Sequence, residues 1–212
     1  MEIIDIENWD RKEQYEVFRN LGIPFYSVTV ELDVSLLYAY CKEQGLSFYH
    51  SMVYVSTAAL NSVKEFLDKL RDGYIVRYDK LTPSFTYMRK NDLFGICNVE
   101  WQQGESLISF CDRCKLTEAA AKEGAAAPSE AEEERDDMAY ISCTPWFSFT
   151  HVTQEMSLNP LESIPRVLWG KFFDRDGKKI MPISIQVNHM LIDGIHIAKW
   201  LSAMEKMIGD LS

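Results

Sequence analysis

Met181-Pro182-Ile183-Ser184-Ile185-Gln186-Val187-Asn188-His189-Met190-Leu191-Ile192-Asp193-Gly194-Ile195-His196 is the stretch that decides the fold. Its first half places Ile183, Ile185 and Val187 at every second position, the pattern of a strand with a buried face. His189 stands where that strand runs out, and Asp193 comes four residues later. Gly194 permits a tight turn into a helix over 195–208, with Ile197, Trp200, Leu201, Met204 and Ile208 on one side. A strand that hands over to a helix through a short loop delivers an imidazole to a sheet end, where Asp193 can fix the loop. Such a histidine can take a proton from a hydroxyl near neutral pH, provided its tautomer is held and a donor meets the developing oxyanion. Taken alone, a strand-end histidine is more often structural than catalytic.

Outward from that stretch, Asp174-Arg175-Asp176-Gly177 reads as a hairpin turn, because Asp-Gly tolerates the positive φ that a tight turn needs. It comes after an extended apolar run over 165–173. The spacing predicts a helix over 11–21 capped by Asn8 and stopped by Pro24. It also predicts a strand over 25–32, and a helix begun by Asp33 or Ser35 and ended by Gly45. A long apolar helix is expected over 48–66. Strands over 74–78 and 84–89 read as a pair, with a strand at 93–101 and a helix at 105–115 after them. Further strands are expected over 138–142 and 146–152. Strands and helices intermix along the chain, so the expected fold is α/β, a two-layer sandwich on a mixed sheet.

A chain of 212 residues, 47% hydrophobic, can bury a full core and is expected to form a single domain over 1–212. The formal net charge of −10 argues against nucleic acid or an anionic membrane surface as the main partner. The segment 117–137 holds eight acidic and two basic residues, a local balance of −6, in an Ala- and Glu-rich context. It reads as an acidic insert, part solvated helix end and part loop. The opening residues do not resemble a signal peptide, and no apolar run is long enough to span a bilayer. The five cysteines lack framework spacing, which suits a reducing compartment, so a cytoplasmic protein is expected. Cys111 and Cys114 lack the second pair a zinc site would want, and the four histidines lack metal-ligand spacing, so no metal is expected.

Several motifs, taken in order, resemble the chloramphenicol acetyltransferase family. Gln186-Val187-Asn188-His189, with Asp193-Gly194-Ile195-His196, is similar to its Gln-Val strand and His-His-x-x-x-Asp-Gly-Phe-His signature. Trp9 with Arg11-Lys12-Glu13 resembles its N-terminal Trp-x-Arg-Lys-Glu, and Phe48-Tyr49 its Phe-Tyr-Pro helix start. Asp72-Gly73-Tyr74-Ile75-Val76 with Asp79 resembles its Asp-Gly-Glu-Leu-Val-x-x-Asp hairpin. Pro145-Trp146-Phe147-Ser148-Phe149-Thr150 is similar to its Pro-Trp-Val-Ser-Phe-Thr, and Gly170-Lys171 to its Gly-Lys-Tyr. The resemblance implies the family's acyltransferase fold and an O-acetyltransferase that uses acetyl-CoA as co-substrate for a small hydroxylated acceptor such as chloramphenicol. It makes His189 the general base, and Arg11 with Asp193 an ion pair that holds the histidine loop. It puts Lys171 and Phe172 along the CoA channel and Phe18 and Phe94 in the acceptor pocket. It further implies a homotrimer with active sites between subunits.

Three positions depart from the family pattern. His151 stands where the family has its oxyanion serine, Asn188 replaces the first histidine of the pair, and Leu168 occupies a position where many members carry threonine. His151 is the candidate oxyanion donor, since alternation along a strand over 146–152 would put Ser148 on the opposite face. The same departures also fit a second reading, a weakly catalytic relative that binds ligands or acts as a trimeric scaffold. Acyl transfer to a lipoyl-type thiol is a third, less favoured because no lipoyl or linker domain precedes the catalytic segment.

Overall fold

The computed structural model describes residues 1–123 and 135–211. Its centre is a mixed sheet. Strand β10 (Lys178–Asn188) lies between β2 (Phe25–Asp33) and β8 (Arg166–Gly170), antiparallel to both, and the sheet continues through β7 (Met138–Thr144), β5 (Thr82–Met88) and β6 (Phe94–Asn98). The β5–β7 and β7–β8 pairs are parallel, while β5–β6 is antiparallel. The short strand β9 (Phe173–Arg175) forms a hairpin with the start of β10. Asp176 and Gly177, with φ of 52° and 77°, make the two-residue turn that the Asp-Gly pair predicts. A smaller sheet of β1 (Glu2–Asp5), β4 (Tyr74–Arg77) and β3 (Asp68–Leu70) stands apart.

Met181, Ile183, Ile185 and Val187 supply the core side of β10 and are buried. In the helical layer, α3 (Phe48–Asn61) packs against α2 (Ser35–Gln44), α4 (Leu107–Lys122) and the terminal helix α5 (Gly194–Gly209). Trp200 of α5 is fully buried, and its indole N–H donates to the Ser56 carbonyl of α3. This is the expected mixed-sheet α/β architecture.

The even-numbered side of β10 is unusual, because Ser184, Gln186 and Asn188 are buried as well. Buried polar groups need partners, and the irregular segment over 151–164 provides them. Gln186 Oε1 accepts from the Gln154 N–H and the Ser27 hydroxyl, and the Ser184 hydroxyl donates to the Val152 carbonyl. The stretch 146–152, expected as a strand, is irregular: it enters no sheet, its Val152 carbonyl accepts from the Ser184 side chain of β10, and its Phe147 carbonyl accepts from the Lys171 N–H.

Other local expectations shift too. Asn8 does not cap the first helix, because its amide bonds Asp5, and α1 (Lys12–Phe18) begins after Arg11. The long helix stops at Asn61, and a 3-10 turn (Lys64–Leu67) comes next. The strands expected to pair around Thr82-Pro83 lie in different sheets; β4 instead pairs with β3 across the Asp72-Gly73 turn, where Gly73 has φ of 84°, and with β1 on its other edge. The expected helical start of the acidic insert is present as the end of α4, whereas 124–134 lie outside the described residues.

Candidate active site

Strand β10 ends at Asn188, and three hydrogen bonds of the Asn188 side chain shape the loop beyond it. Its amide donates to the Pro160 and Glu162 carbonyls at 2.7 and 2.9 Å, and its oxygen accepts from the Met190 N–H at 3.0 Å. Met190, Leu191 and Ile192 then turn inward and are buried, anchoring the loop to the core. Asn188, at the position of the first histidine in the family's pair, is therefore a strut between the histidine loop and 160–162. Gly194 makes no positive-φ turn; it is the first residue of α5.

His189 is held on both sides of its ring. Phe18 of α1 stacks on it at 4.0 Å with 14° between planes, and Tyr26 of β2 lies against it at 4.3 Å. Its backbone N–H donates to the Pro24 carbonyl at 2.7 Å. Asp193 spans two partners: Oδ2 accepts from Arg11 Nη1 at 2.8 Å, and Oδ1 lies 3.3 Å from His189 Nδ1. That second contact is a close approach rather than a formed hydrogen bond, for Nδ1 is buried without a bonded partner. Burial works against the Asp193 carboxylate, but the hydrogen bond and charge of Arg11 outweigh it and hold the carboxyl below its ordinary pKa. Tyr26 is pushed up to about 12, first by burial and then by Asp193, so it stays a neutral phenol, donating to the Ile192 carbonyl. Tyr26 carries no local signal of this role; only the pairing of β2 with β10, which sets it opposite Val187, reveals it.

The structure thus brings Arg11, Phe18, His189 and Asp193 together. It does not bring the other sequence-derived candidates to them within one chain. His151 Nδ1 lies 3.4 Å from Thr29 Oγ1. Thr29 pairs with Ser184, while Asn188 pairs with Phe25, a separation on the order of 13 Å along the strand. Phe94 sits on β6, four strand spacings from β10, roughly 19 Å across the sheet. Exposed there, it helps line a cavity of about 840 Å3 with Thr86, Tyr140, Trp146, Gln154 and Arg166. Lys171 is exposed, and its backbone N–H donates to the Phe147 carbonyl. Phe172 packs edge-on against Tyr38 and Phe48, with the Lys179 ammonium 4.9 Å above its ring. Beside this cluster a second cavity, of about 780 Å3, is lined by Ser47, Tyr49 and Trp146 among others.

Leu168 interrupts a row of hydroxyls that crosses the sheet. Thr86 bonds Ser142 at 2.9 Å, Ser142 pairs with Leu168, Leu168 with Ser184, and Ser184 with Thr29 beneath His151. Ser148 is not turned to an opposite strand face, since no strand forms there; it lines a small cavity with Thr29, Phe149 and Thr150. All five cysteines are free thiols. Burial raises the Cys111 thiol to about 11 and raises Cys114 further, so the Cys-x-x-Cys pair on α4 lies in an environment that favours inert thiols. Among the described residues no helix is long and apolar enough to cross a membrane.

The sheet, its helical layer and the histidine loop define a CoA-dependent acyltransferase fold. A solved probable dihydrolipoamide acetyltransferase from Listeria monocytogenes shares it at a TM-score of 0.68 and 17% identity, over 95% of this chain and 90% of that one. The chain belongs to the chloramphenicol acetyltransferase family, whose model matches residues 1–205, and it is an acyltransferase. A solved chloramphenicol acetyltransferase superposes with a TM-score of 0.89 at 27% identity, covering 98% of this chain and 99% of that one. The chloramphenicol acetyltransferase of Proteus mirabilis is 27% identical over 210 residues, 96% of this chain and 93% of the relative.

The Arg11–Asp193 pair makes a stability prediction. Asp193→Ala leaves the Arg11 guanidinium, whose side chain is 11% exposed, without its partner. The expected cost is about 2 kcal/mol, below the about 3–5 kcal/mol of a fully buried pair, seen as a fall in Tm of roughly 4–8 °C. Because the carboxyl is depressed in the native state, the stabilisation is present above the ordinary carboxylate pKa near 4 and fades as pH falls through the native value. Urea midpoints of wild type and variant should therefore converge in acid; a gap unchanged between neutral pH and about pH 3 would exclude the pair as its source.

Proposed function

We propose that this protein transfers acetyl from acetyl-CoA to a hydroxyl of a small molecule such as chloramphenicol, with His189 as general base. The observation that carries the reading is the clamped imidazole. Phe18 and Tyr26 fix the ring plane, and the Asp193 carboxylate beside Nδ1 favours the tautomer with its proton there. Nε2 is then left with its lone pair. It takes the acceptor's hydroxyl proton as that oxygen attacks the thioester carbonyl, and returns it to the thiolate of CoA when the carbon–sulfur bond breaks. Arg11 holds Asp193 rather than meeting substrate.

His151 is the proposed oxyanion donor. Its distance from His189 in one chain favours a homotrimer in which His189 of one subunit faces His151 and the Phe94-lined cavity of its neighbour. Phe18 and Phe94 would then bound the acceptor from two sides, and Lys171 and Phe172 would meet CoA, the lysine through phosphate and the ring through adenine. Residues 1–212 act as one acetyltransferase domain in the cytoplasm, with 117–137 as an acidic insert.

The test is thiol release from acetyl-CoA in the presence of chloramphenicol. Turnover that depends on the acceptor supports the reading; no release with any hydroxylated acceptor tested would sink it. A second reading, a weakly catalytic ligand-binding or scaffold trimer, draws on His151 and on Leu168 breaking the hydroxyl row. Calorimetry separates the two: acetyl-CoA binding without turnover favours a retired enzyme, and absence of binding favours a scaffold.

A further inference from the structure

Beneath the Arg11–Asp193 pair lies a second buried pair that the mechanism does not use. His196, in the first turn of α5, is 4% exposed, and Glu65, in the 3-10 turn after α3, is 8% exposed. His196 Nδ1 accepts from the Asp193 backbone N–H at 2.9 Å, while the His196 backbone N–H donates to the Asp193 carbonyl at 3.0 Å. An imidazole nitrogen that accepts a hydrogen bond carries no proton, so the ring is neutral with its hydrogen on Nε2. That nitrogen lies 3.7 Å from Glu65 Oε1. Two contacts thus bracket one ring: an acceptor towards the backbone of Asp193 and a donor side towards a carboxylate.

We infer that His196 and Glu65 are positioning residues of the acyl transfer, holding the Asp193 backbone so that its carboxylate stands beside His189 Nδ1. The inference rests on the general-base reading of His189. Asp193 links Arg11 to His189, and its side chain is committed to both of them. Its backbone is the remaining handle: the His196 ring holds the Asp193 N–H, and the helix's own first-turn bond from the His196 backbone N–H holds the carbonyl. On the other edge of the ring the Glu65 carboxylate, carried by a different element, faces Nε2–H at 3.7 Å, an electrostatic contact longer than a hydrogen bond. The charged groups facing His196 are Glu65, Asp193 and Arg11, together with Lys199 on its own helix; burial, the strongest influence, favours the neutral ring that this arrangement requires. The 3-10 turn that carries Glu65 is therefore part of the support of the histidine loop.

The discriminating variants are His196→Asn and His196→Gln. The Asn amide oxygen falls near the place of Nδ1 and accepts the same backbone N–H, whereas the Gln oxygen falls near Nε2. His196→Asn should keep kcat within about threefold of wild type. His196→Gln should lose at least 30-fold in kcat, with KM for both substrates within twofold, and Glu65→Gln should fall between them. A probe independent of turnover is hydrogen exchange of the Asp193 amide: protected in wild type and His196→Asn, and at least tenfold faster in His196→Gln. The inference is overturned if His196→Gln keeps wild-type kcat, if Asn fails as badly as Gln, or if Asp193 exchange is the same in all three. An active His189→Ala enzyme would overturn the general-base reading on its own, while the exchange data would still report whether His196 holds Asp193.

Discussion

His189→Ala is expected to lower kcat by about 10³- to 10⁴-fold, the upper part of the range for removing a positioned general base, with KM values little changed. On the proposed general-base role the loss is kinetic, because the imidazole would contribute mainly in the transition state, where the acceptor's proton moves to Nε2. Phe18 and Tyr26 lose a packing partner in the variant, since the ring lies between them at 4.0 and 4.3 Å. The loop itself keeps its anchors in Asn188 and in buried Met190, Leu191 and Ile192. Stability should therefore fall by only about 1 kcal/mol, in line with most single substitutions. Single-turnover measurement of CoA release checks the kinetic part, and a thermal melt checks the rest. Activity within tenfold of wild type, from folded protein, would remove His189 from the chemistry.

The second large effect belongs to His151. His151→Ala should cost about 10²- to 10³-fold in kcat, the usual loss of one oxyanion donor, and His151→Ser should recover most of it. The contact with Thr29 carries this expectation. In the tautomer that accepts the Thr29 hydroxyl at Nδ1, 3.4 Å away, the ring hydrogen is on Nε2 and the free edge of the ring is a donor. A serine hydroxyl at the same position supplies an equivalent donor with less reach. The double variant His151→Ala with His189→Ala should lose much less than the product of the two single losses, because residues that act on one transition state are not additive. Steady-state kinetics on the four proteins measures that coupling. Wild-type kcat in His151→Ala would assign the oxyanion to another donor, with Ser148 the first to examine.

Much of the frame around this site is written locally in the chain. The alternation of Ile183, Ile185 and Val187, the Asp176-Gly177 turn and the apolar side of α5 arise from steric rules and periodicity that act over a few residues. The same short-range logic puts His189 at the end of a strand and Asp193 within reach of it. Gly45 stops α2 in the left-handed conformation its sequence suggests.

Long-range pairing obeys no such rule. β4 and β5 carry equally good strand patterns yet belong to different sheets, because pairing is decided by which edges the rest of the chain leaves open. The stretch 146–152 has strand composition but enters no sheet, while the backbone over 151–164 supplies the polar side of β10 with hydrogen-bond partners. Asn188 looks like a loss of one histidine until its three bonds to 160–162 and Met190 are seen. Tyr26 reaches the imidazole, and Glu65 reaches His196, across separations in the chain of more than a hundred residues. The sequence alone thus determined the strand, the turn and the residue types of the histidine loop, since these depend on neighbours along the chain. Only the tertiary structure decided what clamps the imidazole and what supports the loop beneath it, and that His151 and Phe94 lie away from His189, since burial and hydrogen-bond satisfaction are properties of the packed molecule.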